Sequence, residues 1–188
     1  KDRLYCEETN GAKRRSAQTA LYLILDTMTK VMSPILCFTC DEIWQAMAHR
    51  EGDDVRNVLF NDMNKAFTEY ALDDAEMAKW DRIIAVRTVV NGVLEAARAE
   101  KKIGKALEAK VSLTVPAEDA FLAEMDAAAL ADLLIVSQVE VTAGAELAVS
   151  VENAAGEKCP RCWKHSTTPG TDNLCPRCAG VVAKIAEF

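Results

Sequence analysis

Along residues 18–32 the apolar side chains Leu21, Ile24, Leu25, Met28, Val31 and Met32 recur at three- and four-residue steps. That spacing lays one apolar stripe along a helix and predicts that the stripe is buried. Pro34 predicts the helix end near Ser33, because the ring disfavours helical geometry in the residue before it. Thr39-Cys-Asp-Glu42 then reads as a capping box opening a second helix, with Ile43, Trp44 and Met47 on its buried side. Residues 50–71 have no period and are rich in Asp and Asn, which predicts a long irregular connection with one short extended piece at 58–60. Asp73-Asp-Ala-Glu76 signals a further start, and Trp80, Ile83, Ile84, Val90, Val93, Leu94 and Ala97 carry that helix to about Lys102. Gly104 is the expected C-terminal cap, with Lys101 and Lys102 in the last turn. A helix of this length is expected to pack along a bundle.

The period changes after Gly104. Val111, Leu113 and Val115 alternate with polar residues and stop at Pro116, a strand pattern. Residues 118–134 are rich in Ala and Leu and read as one helix, and 139–141 and 147–151 alternate again. The expected fold is therefore mainly α: a helical bundle over 1–104, a small α/β unit over 105–155, and a terminal cysteine-rich unit over 156–188.

Composition supports folding: of 188 residues, 50% are apolar and 27% charged. No apolar run approaches the roughly 20 residues of a membrane span, and the opening Lys-Asp-Arg is unlike a signal peptide. The chain also opens without Met, which suggests a piece of a longer protein. A net charge of −7 argues against a general polycation. Its distribution is uneven: residues 1–105 carry −1, residues 106–156 carry −8 and residues 157–188 carry +2. The acidity belongs to the middle segment, which leaves both ends compatible with an anionic partner.

Four of the seven cysteines form the sharpest motif, Cys159-Pro-Arg-Cys162 and Cys175-Pro-Arg-Cys178. Two such turns facing each other make an all-thiolate tetrahedral cage suited to one structural Zn²⁺, with no open position for catalysis. His165 is a weaker substitute ligand. Cys37 and Cys40 share the spacing but lack a second pair, and are expected to be small packing residues. Lys158, Arg161, Lys164 and Arg177 gather around the motif. They could contact phosphate and bases beside a stacking Trp163, or simply offset the −2 that four thiolates and one Zn²⁺ leave on the cage. Lys13, Arg14 and Arg15 similarly read as a solvated helix start or as a basic contact surface.

Several segments resemble the C-terminal end of the bacterial isoleucyl-tRNA synthetases. Lys1-Asp-Arg-Leu-Tyr-Cys6, Arg14-Arg-Ser-Ala-Gln-Thr19 and Ser33-Pro-Ile-Leu-Cys-Phe-Thr-Cys-Asp-Glu-Ile-Trp44 are similar to that family's anticodon-binding helical domain. Related chains usually have Ala-Pro at the start of the last segment and a second Pro where Cys37 stands. More specific are Lys102-Ile-Gly-Lys-Ala-Leu-Glu-Ala-Lys-Val111, Leu134-Ile-Val-Ser-Gln-Val-Glu140 and Gly156-Glu-Lys-Cys-Pro-Arg-Cys-Trp163. The resemblance implies a module that recognises the anticodon stem-loop of isoleucine tRNA, within a cytoplasmic, monomeric ligase that uses ATP. Arg161 and Trp163 are the implied RNA contacts, with Arg14, Arg15 and Lys105 as weaker candidates. The ATP-site signatures His-x-Gly-His and Lys-Met-Ser-Lys-Ser do not occur in the chain, so no catalytic residue is expected in it. Two rival classes carry a similar cysteine motif: a DNA-repair glycosylase of the formamidopyrimidine type and a zinc-ribbon protein-interaction module.

Overall fold

In the computed structural model, which describes residues 1–170 and 172–186, the expected first helix is present and its burial is inverted. Thr171, Glu187 and Phe188, which belong to the expected terminal unit, lie outside the described residues. Two compact units divide at 71/72.

The first unit holds α1 (Asp2–Tyr5), α2 (Ala12–Met32) and α3 (Cys37–Ala46). On α2 the buried residues are Asp26, Thr29 and Lys30, whereas Leu21, Ile24, Leu25, Met28, Val31 and Met32 are 40–55% exposed. The reason lies in what packs there. The loop after α3 is held by polar groups, and Asn64 donates to Asp26 (2.6 Å) and to the Thr27 hydroxyl (2.9 Å). A polar loop selects the polar face of the helix.

The second helix also starts earlier than expected. The turn after α2 closes on the Met32 carbonyl, so Leu36 already occupies the N-cap and its carbonyl accepts from the Cys40 amide (2.8 Å). Thr39 and Glu42 consequently lie inside α3 and form no capping box. Cys40 and Trp44 pack with Val58 as expected of small-core residues, but Cys37 is exposed. Val58–Phe60 is a 3₁₀ turn instead of an extended piece, because the Asn57 side chain caps it by accepting from the Leu59 amide (2.9 Å).

The second unit begins with α4 (Asp74–Ala99). Asp73 caps it, accepting from the Glu76 amide at 2.8 Å. Asp73→Ala should cost about 1 kcal/mol, measurable as a lower thermal midpoint; an unchanged midpoint would show the cap to be silent. At its other end Lys101 takes the left-handed conformation (φ 60°) and Lys102 N–H reaches back to the Ala97 carbonyl (2.9 Å). This is a Schellman ending made by lysine. Gly104 is thereby released from the capping role expected of it and donates to the Glu108 carboxylate (2.9 Å).

The buried side of α4 is Ile83, Val86, Val90, Leu94 and Ala97, while Trp80 and Ile84 are exposed. That side joins the core of a three-stranded sheet, so the helix expected to complete a bundle packs against the α/β layer. The sheet has the order β2-β1-β3, with β1 (Ala109–Val115) central, β2 (Gln138–Ala143) parallel to it and β3 (Ala148–Asn153) antiparallel. Every second residue of β1 is buried. The crossover between β1 and β2 is two helices where one was expected, α5 (Phe121–Glu124) and α6 (Ala127–Leu134). The break comes at Asp126, whose carboxylate caps the Ala129 amide (2.9 Å) and starts α6 afresh. Arg82 on α4 grips the buried Asp119 with two bonds, 2.8 and 2.5 Å, pinning helix to crossover.

The chain then forms a small ribbon of β4 (Glu157–Lys158) and β5 (His165–Ser166), followed by α7 (Pro176–Ala186). Gly156, at φ 90°, is required before the ribbon: a Cβ there would stand 2.1 Å from the Ser166 carbonyl oxygen. Among the described residues no helix is long and apolar enough to cross a membrane.

Candidate metal centre and nucleic-acid surface

The ribbon and the start of α7 bring the two Cys-Pro-Arg-Cys turns face to face. The Sγ atoms of Cys159, Cys162, Cys175 and Cys178 all lie within 4.8 Å of one another, and those of Cys162 and Cys175 are 3.7 Å apart. A tetrahedral zinc with Zn–S bonds of about 2.3 Å needs sulfurs roughly 3.8 Å apart. The donor set therefore fits a single thiophilic ion, and four protein ligands fill a tetrahedron. His165 stands outside the group, its Nδ1 facing the Gly156 carbonyl oxygen at 3.2 Å.

The sulfurs differ in their surroundings. Burial works to raise the Cys159 pKa, but the backbone amides of Cys162, Cys175 and Arg161 outweigh it and bring it down to about 6. At Cys162, Cys175 and Cys178 burial prevails and the thiols are pushed up. A dication within the cage supplies the charge that would hold all four as thiolates.

Trp163 follows the first turn directly. Its backbone is left-handed (φ 69°), pinned by its own N–H on the Cys159 carbonyl (2.9 Å), and its side chain is 50% exposed. A bulky residue in that region costs about 1–3 kcal/mol. The Lys105 ammonium lies 6.0 Å from the indole centroid, within cation–π range. Arg161, half-buried, donates from Nη1 to the Cys178 sulfur at 3.7 Å. Thus Arg161, Trp163 and Lys105 come together around the cysteines. Arg14 and Arg15 belong to the first turn of α2 in the other unit, where Arg14 is half-buried and Arg15, exposed, donates to Gln18 (3.1 Å).

The cysteine unit is fastened to the α/β layer by residues that no motif singles out. Ser137 accepts from the His165 amide (2.8 Å) and donates to the Leu107 carbonyl (2.5 Å). Gln138 exchanges two hydrogen bonds with Ala155, at 2.9 and 3.0 Å, and Lys164 pairs with Asp132. A lone serine in Leu134-Ile-Val-Ser-Gln carries no sequence signal for this role. In compensation, the pairing of Lys164 spends its charge locally.

Residues 1–113 match the family model described as the anticodon-binding domain of tRNA ligase. The chain is also similar to the isoleucine–tRNA ligase of Methylacidiphilum infernorum (isolate V4), 39% identical over 100% of this chain and 20% of the relative. Similarity of the same order links it to that of Staphylococcus carnosus (strain TM300), 41% identical over 98% of this chain and 21% of the relative. A third, from Caldicellulosiruptor saccharolyticus, is 39% identical over 97% of this chain and 20% of the relative. The chain spans about one fifth of the length of the curated relatives it matches.

Proposed function

The chain belongs to the anticodon-binding-domain family of tRNA ligases, and from that premise we propose that it is the tRNA-recognition module of an isoleucine–tRNA ligase. The parent would be a cytoplasmic, monomeric enzyme that joins isoleucine to its tRNA with ATP. In it this segment grips the anticodon stem-loop, and the activation chemistry belongs to the rest of the protein. The family match ends at residue 113, close to the boundary at 104. On this reading the functional segments are a helical anticodon-binding domain over 1–104, to which the match lends support, a junction over 105–155 and a zinc-binding domain over 156–188. The match also accounts for the helical half of the chain, for which neither the glycosylase nor the free zinc-ribbon reading has a use.

The observation that carries the RNA reading is Trp163. Folding tolerates an unfavourable backbone conformation in order to hold a half-exposed indole beside a lysine. An unpaired base can stack on such a platform while cationic groups take the phosphate. Arg161 and Lys105 stand beside it, and Arg14 and Arg15 supply cations on the helical unit. The cation in the cage is zinc on this reading, chosen by four thiolates in a tetrahedral setting.

Titrating the full chain with deacylated isoleucine tRNA, with other tRNAs and with duplex DNA tests the assignment. Preference for the isoleucine tRNA is expected, and preference for the DNA would overturn it. Trp163→Ala should weaken tRNA binding by roughly 1–3 kcal/mol, the worth of one stacked base. Unchanged affinity with metal content intact would remove Trp163 from the interface.

A further inference from the structure

The two Cys-Pro-Arg-Cys turns have the same residues, yet their sulfurs are not served alike. Backbone amides work to lower the pKa of three of them: those of Cys162, Cys175 and Arg161 at Cys159, that of Lys164 at Cys162, and that of Cys178 at Cys175. At Cys178, which is fully buried, the leading donor is a side chain, Nη1 of Arg161. We propose that Arg161 is a positioning residue of the metal centre, its guanidinium orienting the Cys178 sulfur towards the ion and offsetting part of the charge of the cage. The bond runs from the first turn to the second across 17 positions of the chain. It therefore adds a side-chain tie between the two knuckles that does not depend on the ion. Arginine suits the place because its charge is permanent and its donors are fixed in a planar fork. Groups that hydrogen-bond to metal ligands set ligand direction and metal affinity. The assignment concerns the metal centre and holds whether or not Arg161 also meets RNA.

Metal titrations of the full chain without RNA test it. In competition with a chromophoric chelator, Arg161→Ala should bind Zn²⁺ roughly 10–100-fold more weakly, the usual effect of losing an outer-shell partner. With Co²⁺ in place of Zn²⁺, the thiolate-to-metal charge-transfer band should move to lower energy, because a sulfur stripped of its N–H donor holds its electrons less tightly. Arg161→Lys keeps the charge without the fork and should lie between parent and alanine variant in both readouts. Parent-like zinc affinity and band position in Arg161→Ala would overturn the assignment. Should that variant hold no metal at all, parent-like values in Arg161→Lys would overturn it equally.

Discussion

Stripping the metal with a chelator is expected to unfold residues 156–186 and to leave the sheet core standing. Among the described residues of that segment the buried side chains are Cys159, Cys162, Cys178 and Val181. Such a set cannot offset the entropy of ordering some thirty residues, at about 1–2 kcal/mol each for the backbone. Ligation, worth about 10–16 kcal/mol in small zinc modules at neutral pH, is the large stabilising contribution that chelation removes. By contrast, Val90, Val111, Leu113, Leu130 and Val136 are almost fully buried in one continuous core that needs no ion. The measurement is amide hydrogen exchange before and after chelation. Loss of protection in α7 and β5, with α4 and β1 still protected, is the expected result. Retained protection in α7 without metal would show that the cysteines are not the fold's anchor.

Removing the Asp26 carboxylate should destabilise the first unit by about 3–5 kcal/mol, the usual cost of leaving a buried charge without its partner. Asp26 is fully buried on α2, paired with Lys30 at 3.1 Å and with Arg50, and accepting from Asn64. Lys30 is itself only 5% exposed and lies 5.2 Å from the Trp44 ring centroid. Alanine at 26 takes away the closest partner of that ammonium and leaves it the longer contacts to Asn64 (3.4 Å) and Asp53 (3.7 Å). The double variant Asp26→Leu, Lys30→Met removes both charges and should recover most of the loss, since apolar replacements of a buried pair are often neutral or better. Urea unfolding of the 1–71 unit, followed by hydrogen exchange, reads both variants. A double variant as unstable as the single one would mean that the pair matters through shape instead of charge.

The same carboxylate sets an acid dependence. Burial works to raise its pKa, but the hydrogen bonds from Asn64 and Lys30 and the charges of Lys30 and Arg50 together lower it below the ordinary value. A carboxyl depressed on folding contributes stability that is fully present above its unfolded pKa, about 3.9. That contribution is lost as pH falls from there through the lower folded value. Asp26→Asn should therefore flatten the stability profile of the first unit below about pH 4.

Much of the second unit is legible in the sequence alone. The alternation of Val111, Leu113 and Val115 is a local property of a half-packed strand, and all three are buried as read. The four cysteines were equally plain, because ligand spacing within a turn is set by a few bonds of chain. The helices of the first unit were legible as helices but not in their orientation. Periodicity shows that α2 has two faces; it does not show which one meets neighbours, and here the Asp26–Lys30 face does. Likewise, nothing local reveals that α4 packs on the sheet, or that Asp126 splits the crossover by capping a new helix.

The amino-acid sequence by itself determined the long helices, the three strands of the sheet, the zoning of charge and the four-thiol set, since each depends on neighbours a few residues away. Only the tertiary structure decided the side-chain partnerships that give the site its chemistry. Lys105 stands over Trp163, Ser137 fastens His165, and Arg161 donates to Cys178 instead of merely sharing its neighbourhood. These partners are separated by 17 to about 60 positions. Their meeting depends on how sheet, crossover and ribbon fit together, because a hydrogen bond or a stacked cation requires a placement within ångströms that no spacing along the chain encodes.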